Sequence, residues 1–176
     1  MSESNIEQII YECRKESRKA QQMLYKSFYG FAMGICLRYS NNRYEAAEIL
    51  NKGFLKVFES LHSYNHQDQF KSWLKKIIIN ASIEYHRIDI QTPQFECFNN
   101  IEATSKEIDD DREFNYNDLL ALVQQLPSAY RMVFNLYAID GYSHEEISKM
   151  LKIDIAATKC NLFKARKKLI KGIDSS

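Results

Sequence analysis

The stretch "SHEEISKMLKIDIAATKCNLFKARKKLIK", residues 143 to 171, decides the fold because it encodes two helices and the turn between them. Ser143 followed by Glu146 fits a capping box, in which the Ser hydroxyl takes one backbone N–H and the Glu carboxylate returns to another. The short helix that starts there carries Ile147, Met150 and Leu151 and stops near Lys152 and Ile153. Asp154 then offers an N-cap for a longer helix reaching about Ile170. Two helices joined by a tight turn predict a helix-turn-helix. Many such turns carry glycine where this chain has Lys152.

The longer helix has two unlike sides when residues are laid out at 100° each. Ile155, Thr158, Leu162, Ala165 and Leu169 share one face, which predicts core. Opposite lie Ala157, Cys160, Lys164, Lys167 and Lys171, with Lys159 and Phe163 on one flank and Asn161 and Lys168 on the other. From Thr158 to Lys171 there are six basic residues and no acidic one. Basic residues near a helix C-terminus also suit the macrodipole of an ordinary solvated helix. The capped helix and tight turn ahead of them favour a helix laid in a DNA major groove, where early residues meet base edges and later cations meet phosphate.

Working outward, apolar residues recur at helical spacing almost throughout, and five glycines and two prolines in 176 residues leave little room for strands and their turns. Ala46, Ile49, Leu50, Phe54, Val57, Phe58 and Leu61 form one stripe, and Phe70, Trp73, Leu74, Ile77, Ile78, Ala81 and Tyr85 another, with Asp68 placed to cap it. Met23, Leu24, Phe28, Phe31, Ile35 and Leu37 predict one or two further helices upstream. Periodicity fails after Arg87 and resumes with Leu119, Leu122, Val123 and Leu126; Pro127 suits a first helical turn. The expectation is an all-α chain of two small helical domains, 1–87 and 116–176, joined by a flexible linker at 88–115.

Net charge is only +1, but it is unevenly spread. Residues 1–86 carry 12 Lys+Arg against 9 Asp+Glu, residues 87–117 carry 3 against 8, and residues 118–176 carry 9 against 6. Two mildly basic modules flank an acidic tether. Cys13, Cys36, Cys97 and Cys160 show no CxxC pair and no His at zinc-finger spacing, and His62 and His66 lack a third partner, so neither a disulfide framework nor a metal or other cofactor is expected. No run approaches the roughly 20 apolar residues of a membrane span, and the N-terminus has no signal-peptide pattern, so a cytoplasmic chain without membrane insertion is expected. No glycine-rich phosphate loop or Ser-His-Asp arrangement points to an enzyme or a small-molecule substrate.

Two blocks narrow the class further. "NRYEAAEILNKGFLKVFESLHSYNHQDQFKSWLKKIIINASIEYHR", residues 42 to 87, resembles domain two of an extracytoplasmic-function (group 4) sigma factor of the sigma-70 family. "LPSAYRMVFNLYAIDGYSHEEISKMLKIDIAATKCNLFKARKKL", residues 126 to 169, is similar to domain four of the same family. The resemblance implies a dissociable subunit that binds bacterial core RNA polymerase, recognises minus-thirty-five and minus-ten promoter elements and promotes DNA melting, with an anti-sigma factor as a further partner. It is not itself an enzyme.

By that resemblance Glu45, Glu48, Ile49, Asn51, Phe54 and Leu55 contact the polymerase clamp helices; where many members carry Asp-x-x-Gln-Glu, this chain has Glu48, Asn51 and Lys52. Tyr64, Asn65, His66, Lys71, Lys75, Lys76 and Asn80 lie near the minus-ten strand, where aromatic faces stack on unstacked bases. Trp73, by its spacing with Phe70 and Ile77, reads as core. Lys159, Asn161, Phe163 and Lys164 read the minus-thirty-five element, with Arg166 and Lys167 on phosphate. The acidic linker would thread a basic polymerase channel. The residues alone leave open a helix-turn-helix regulator that binds DNA by itself, and a polymerase-binding protein that blocks initiation.

Overall fold

Ser17 and Asn42 open the two longest helices of the N-terminal half by the same device, a short polar side chain that accepts the orphan amides of a first turn. Ser17 Oγ accepts from Ala20 N–H at 3.4 Å, and Asn42 Oδ1 from Tyr44 N–H at 2.9 Å and Glu45 N–H at 3.0 Å. The structure, a computed structural model, describes residues 3–65, 69–91 and 115–174. Within these it is helical with connecting turns, the all-α architecture the periodicity predicts. The chain divides into two units, Met1–Tyr85 and His86–Ser176.

In the first unit, α1 (Glu3–Arg14), α2 (Arg18–Tyr39), α3 (Arg43–Ser60) and α4 (Phe70–Tyr85) pack around one core, and a 3₁₀ turn, Leu61–Ser63, follows α3 directly. α3 lies against both α2 and α4, and α1 against α2 and the 3₁₀ turn. The predicted stripes face inward: Ala46, Ile49, Leu50, Phe54, Val57 and Leu61 from α3 and the turn after it, and Phe70, Leu74, Ile78 and Ala81 from α4, are buried. Phe58, Trp73, Ile77 and Tyr85 sit half-buried at the rims. Each such aliphatic or aromatic side chain removed from water contributes about 1.5–3 kcal/mol, and that sum rather than helix propensity holds the bundle. α3 and α4 meet closely at Gly53, where an added Cβ would lie 2.6 Å from Ile78 Cδ1. Asp68, the expected cap of α4, lies outside the described residues.

The second unit holds α5 (Arg87–Gln91), α6 (Tyr116–Gln124), α7 (Ser128–Phe134), α8 (His144–Leu151) and α9 (Ile155–Asp174). The stretch expected to begin the tether at residue 88 begins instead with α5, whose buried Ile90 packs it on α7 and α8. Five residues give too little length for a helical period to declare itself. Pro127 stands one position earlier than expected, at the N-cap of α7, with its carbonyl accepting from Arg131 N–H at 2.9 Å. After Phe134 the backbone widens into a π-type turn, Asn135–Ile139, closed by Asp140 N–H on the Asn135 carbonyl at 2.9 Å. Leu126, Ala129, Tyr130 and Ala165 form the core, flanked by Phe134 and Leu169.

The helix-turn-helix forms as its residues predict. Both arms of the capping box are made: Ser143 Oγ accepts from Glu146 N–H at 3.2 Å, and Ser143 N–H donates to Glu146 Oε2 at 2.8 Å. The Ser143 N–H first, and the Ser143 hydroxyl donating to the same Oε2 at 2.9 Å second, hold the Glu146 carboxyl below its ordinary range. Lys152 closes α8 in the left-handed region, φ 55° and ψ 46°, with its N–H on the Ser148 carbonyl, and Ser148 Oγ donates to the Ile153 carbonyl at 2.6 Å. A left-handed backbone costs an L-residue roughly 1–2 kcal/mol that glycine is spared. Lys152→Gly is therefore expected to stabilise the second unit by about 1 kcal/mol in urea denaturation, part of the gain being returned through glycine's freer unfolded chain. A net loss of stability would show that the lysine side chain outweighs its backbone strain.

Candidate functional site

The outer face of α3 follows from its buried one. Positions 44, 48, 51 and 55, spaced by four, three and four residues, run along one meridian away from the core. Tyr44 is 90% exposed and Leu55 61%, with Glu48 and Asn51 exposed between them. Ile49 and Phe54, at 0% and 2% exposure, belong to the core, and Phe54 stacks at 4.6 Å on Tyr25. Both are withdrawn from the expected polymerase contacts, because their side chains are buried in the core rather than carried on this meridian. Tyr44 shares this exposed meridian with Glu48, as its four-residue spacing implies.

Glu45 is half-buried and its carboxylate is already engaged by Asn41, whose backbone N–H and Nδ2 both lie at 2.9 Å. Glu48 Oε1 pairs with Lys52 Nζ at 2.9 Å and Glu48 Oε2 accepts from Tyr85 Oη at 3.0 Å. Lys52 first and Tyr85 second hold the Glu48 carboxyl below its usual range, and the Lys52 ammonium lies 4.9 Å from the Tyr85 ring centre. Lys52 is thus one member of a surface cluster with Glu48 and Tyr85 rather than a solitary reversed charge.

Beyond α3, Tyr64 is 6% exposed; its ring meets Phe70 edge-on at 5.4 Å and Trp73 at 5.0 Å. It is a wedge that seats the turn, not an open stacking platform, which corrects its expected role. Asn65 is exposed, and His66 lies outside the described residues. On α4, Lys71 and Lys75 are one turn apart on one stripe, and Lys76 and Asn80 on another. Lys71, Lys76 and Asn80 are exposed, Lys75 is half-buried, and Lys71 Nζ lies 5.8 Å from the Phe31 ring centre. The structure places these cations around the polar arc of α4, not on a single line.

On α9, Lys159, Arg166 and Lys167 are exposed and Phe163 and Lys164 half-buried. Cys160 and Asn161 are buried, against their expected outward placement. Asn161 lies on the border of the core face. Cys13 and Cys36 are free thiols pushed by burial to about 11 and about 12, so they act as packing residues.

His144 joins the two helices of the motif. Its ring stacks on Tyr137 at 4.5 Å, and Nδ1 lies 2.9 Å from Thr158 Oγ1. Thr158 Oγ1 donates its proton to the Ile155 carbonyl at 2.7 Å, so in the His144 bond it accepts and Nδ1 carries the hydrogen. Burial and then the Lys159 charge hold His144 below its ordinary value. The Arg166 guanidinium lies 5.9 Å from the same Tyr137 ring. The start of α8 and the exposed cations of α9 are thereby held in one frame.

Among the described residues no group of His, Cys, Asp or Glu could hold a metal ion, and no helix is long and apolar enough to cross a membrane.

Residues 24–88 match Sigma-70 region 2 and residues 116–169 match Sigma-70, region 4. Over nearly its whole length the chain is similar to the RNA polymerase sigma-H factor of Pseudomonas aeruginosa, at 20% identity covering 98% of this chain and 96% of the relative. It is also similar to the ECF RNA polymerase sigma-E factor of Escherichia coli K12, at 24% identity covering 94% and 93%. Its fold is similar to that of the sigma factor RpoE from Bartonella quintana, solved in complex with the anti-sigma factor NepR, with a TM-score of 0.53 at 16% identity over 87% of this chain and 96% of that one.

Proposed function

The chain belongs to the sigma-70 family, in its extracytoplasmic-function group, and we propose that its two units divide promoter recognition between them. It is an RNA polymerase sigma factor for promoter-specific initiation. The observation that carries this reading is the presence, in one chain and in family order, of matches to both promoter-reading regions. The first unit, with the region-2 match, offers Tyr44, Glu48, Asn51 and Leu55 to core polymerase, and Asn65, Lys71, Lys75, Lys76 and Asn80 to the opened minus-ten strand. The second presents Lys159 to base edges of the minus-thirty-five element, with Lys164, Arg166 and Lys167 toward phosphate. Such a factor works inside the cell, as a binding subunit rather than an enzyme, and an anti-sigma factor is a fitting partner because RpoE was solved with one.

The test is run-off transcription with bacterial core polymerase over a promoter library. Wild type is expected to select paired minus-thirty-five and minus-ten elements. Lys159→Ala is expected to flatten minus-thirty-five preference by roughly tenfold, within the 1–3 kcal/mol of a base contact, while Arg166→Ala weakens binding alike across sequences and lowers the salt slope by about one. Core affinity should not change in either. No initiation at any sequence would end the reading; an unchanged promoter profile in Lys159→Ala would move the base readout elsewhere.

A further inference from the structure

Arg14 stands in the last turn of α1, 47 residues before the turn that leaves α3. Its guanidinium nonetheless reaches two carbonyls there: Nε donates to Leu61 O at 3.0 Å and Nη2 to Tyr64 O at 2.8 Å. Leu61 O also accepts the Tyr64 N–H at 3.3 Å, so the two carbonyls bracket one 3₁₀ turn. An arginine suits this task because its planar fork presents N–H groups in fixed directions, whereas a lysine ammonium is a single point charge. The cation also sits against carbonyls that end a helix, where partial negative charge gathers.

The same short segment is held from its other side by the Tyr64 ring, wedged on Phe70 and Trp73 at the start of α4. The backbone leaving α3 is therefore gripped twice, by a guanidinium on its carbonyls and by an aromatic cluster on its side chain. Asn65, the next residue, is exposed and is the first beyond the grip. Within the resemblance, base capture begins in this segment, and none of the residues gathered for that role includes anything from α1.

We propose that Arg14 is a positioning residue for minus-ten recognition: without touching DNA, its fork sets the direction in which the chain departs toward the opened strand. The inference rests on the promoter-reading function proposed above. It explains why a long cation at the end of α1 is directed onto the turn that leaves α3.

The experiment uses the full chain with core polymerase and compares initiation on a matched promoter with one substituted at the minus-ten element, at saturating factor. Arg14→Gln is expected to lower that ratio by roughly tenfold, the order of losing well-placed stacking on one base, with core affinity and minus-thirty-five preference unchanged. Arg14→Lys, which can serve one carbonyl, should recover part of the ratio; a purely structural loss would instead lower core affinity and melting temperature together. A wild-type ratio in Arg14→Gln, or a ratio that falls only in step with core affinity, would overturn the assignment. Wild type with no minus-ten preference would overturn the promoter-reading function beneath it as well.

Discussion

Arg131→Ala is expected to remove about 3–5 kcal/mol from the second unit, against a total of roughly 5–15 kcal/mol for a domain of ordinary stability. Arg131 is fully buried, an uncommon setting for a guanidinium. Nη1 donates to Gln124 O at 2.7 Å and Leu126 O at 3.1 Å, and Nη2 to Ser128 Oγ at 3.4 Å. These acceptors are the end of α6 and the start of α7, so one side chain closes the first helix and holds the corner to the second. Alanine would take these bonds from the Gln124 and Leu126 carbonyls and leave the space of a buried guanidinium unfilled. Lysine should not restore the site, because one ammonium cannot copy a fork aimed at acceptors on two sides. In urea denaturation the second unit should unfold early while the transition of the first stays in place, and minus-thirty-five selectivity should vanish before core binding does. A loss under about 1 kcal/mol would mean that water replaces the guanidinium at little cost.

Gly53→Ala is expected to destabilise the first unit by about 2 kcal/mol even though alanine is the better helix former by roughly 1 kcal/mol. The new methyl would meet Ile78 Cδ1 at 2.6 Å, closer than any real carbon contact, while Ala81 Cβ at 3.7 Å would sit at ordinary distance. Ile78 is fully buried, so its terminal methyl has nowhere easy to go. Ile78→Val deletes that one carbon. Alone it should cost about 0.5–1.5 kcal/mol, yet in combination with Gly53→Ala it should bring stability back toward wild type, a coupling of more than 1 kcal/mol in a double-mutant cycle. Strict additivity of the two changes would place the strain of Gly53→Ala somewhere other than the α3–α4 contact.

What periodicity could and could not show separates along physical lines. Helices long enough to repeat, α3, α4 and α9, declared themselves, α3 and α4 with their core faces but α9 with Ile155 exposed and Cys160 buried against the expected sides, and the capping box at Ser143 marked the start of α8 to the residue. α5 escaped because one buried isoleucine in five residues makes no period. The site was legible by helix but not always by face. Resemblance attached roles to Ile49, Phe54, Tyr64 and Asn161 along with their neighbours, and the packing turned all four inward. Arg14 and Arg131 were invisible for a different reason: each acts through carbonyls of other elements, and a backbone carbonyl has no letter in a sequence.

The distance from Arg14 to its carbonyls also orders events in time. α2, α3 and α4 meet through short connections, and such local contacts close early at small entropic cost. The Arg14 grip spans 47 and 50 residues, so it cannot form until that much chain is present. A contact made after the folding barrier changes how fast the native state opens more than how fast it forms. During synthesis α1 leaves the ribosome first, but its arginine finds no acceptor until Tyr64 has followed. The turn that leaves α3 is thus completed by a residue made some 50 positions before it.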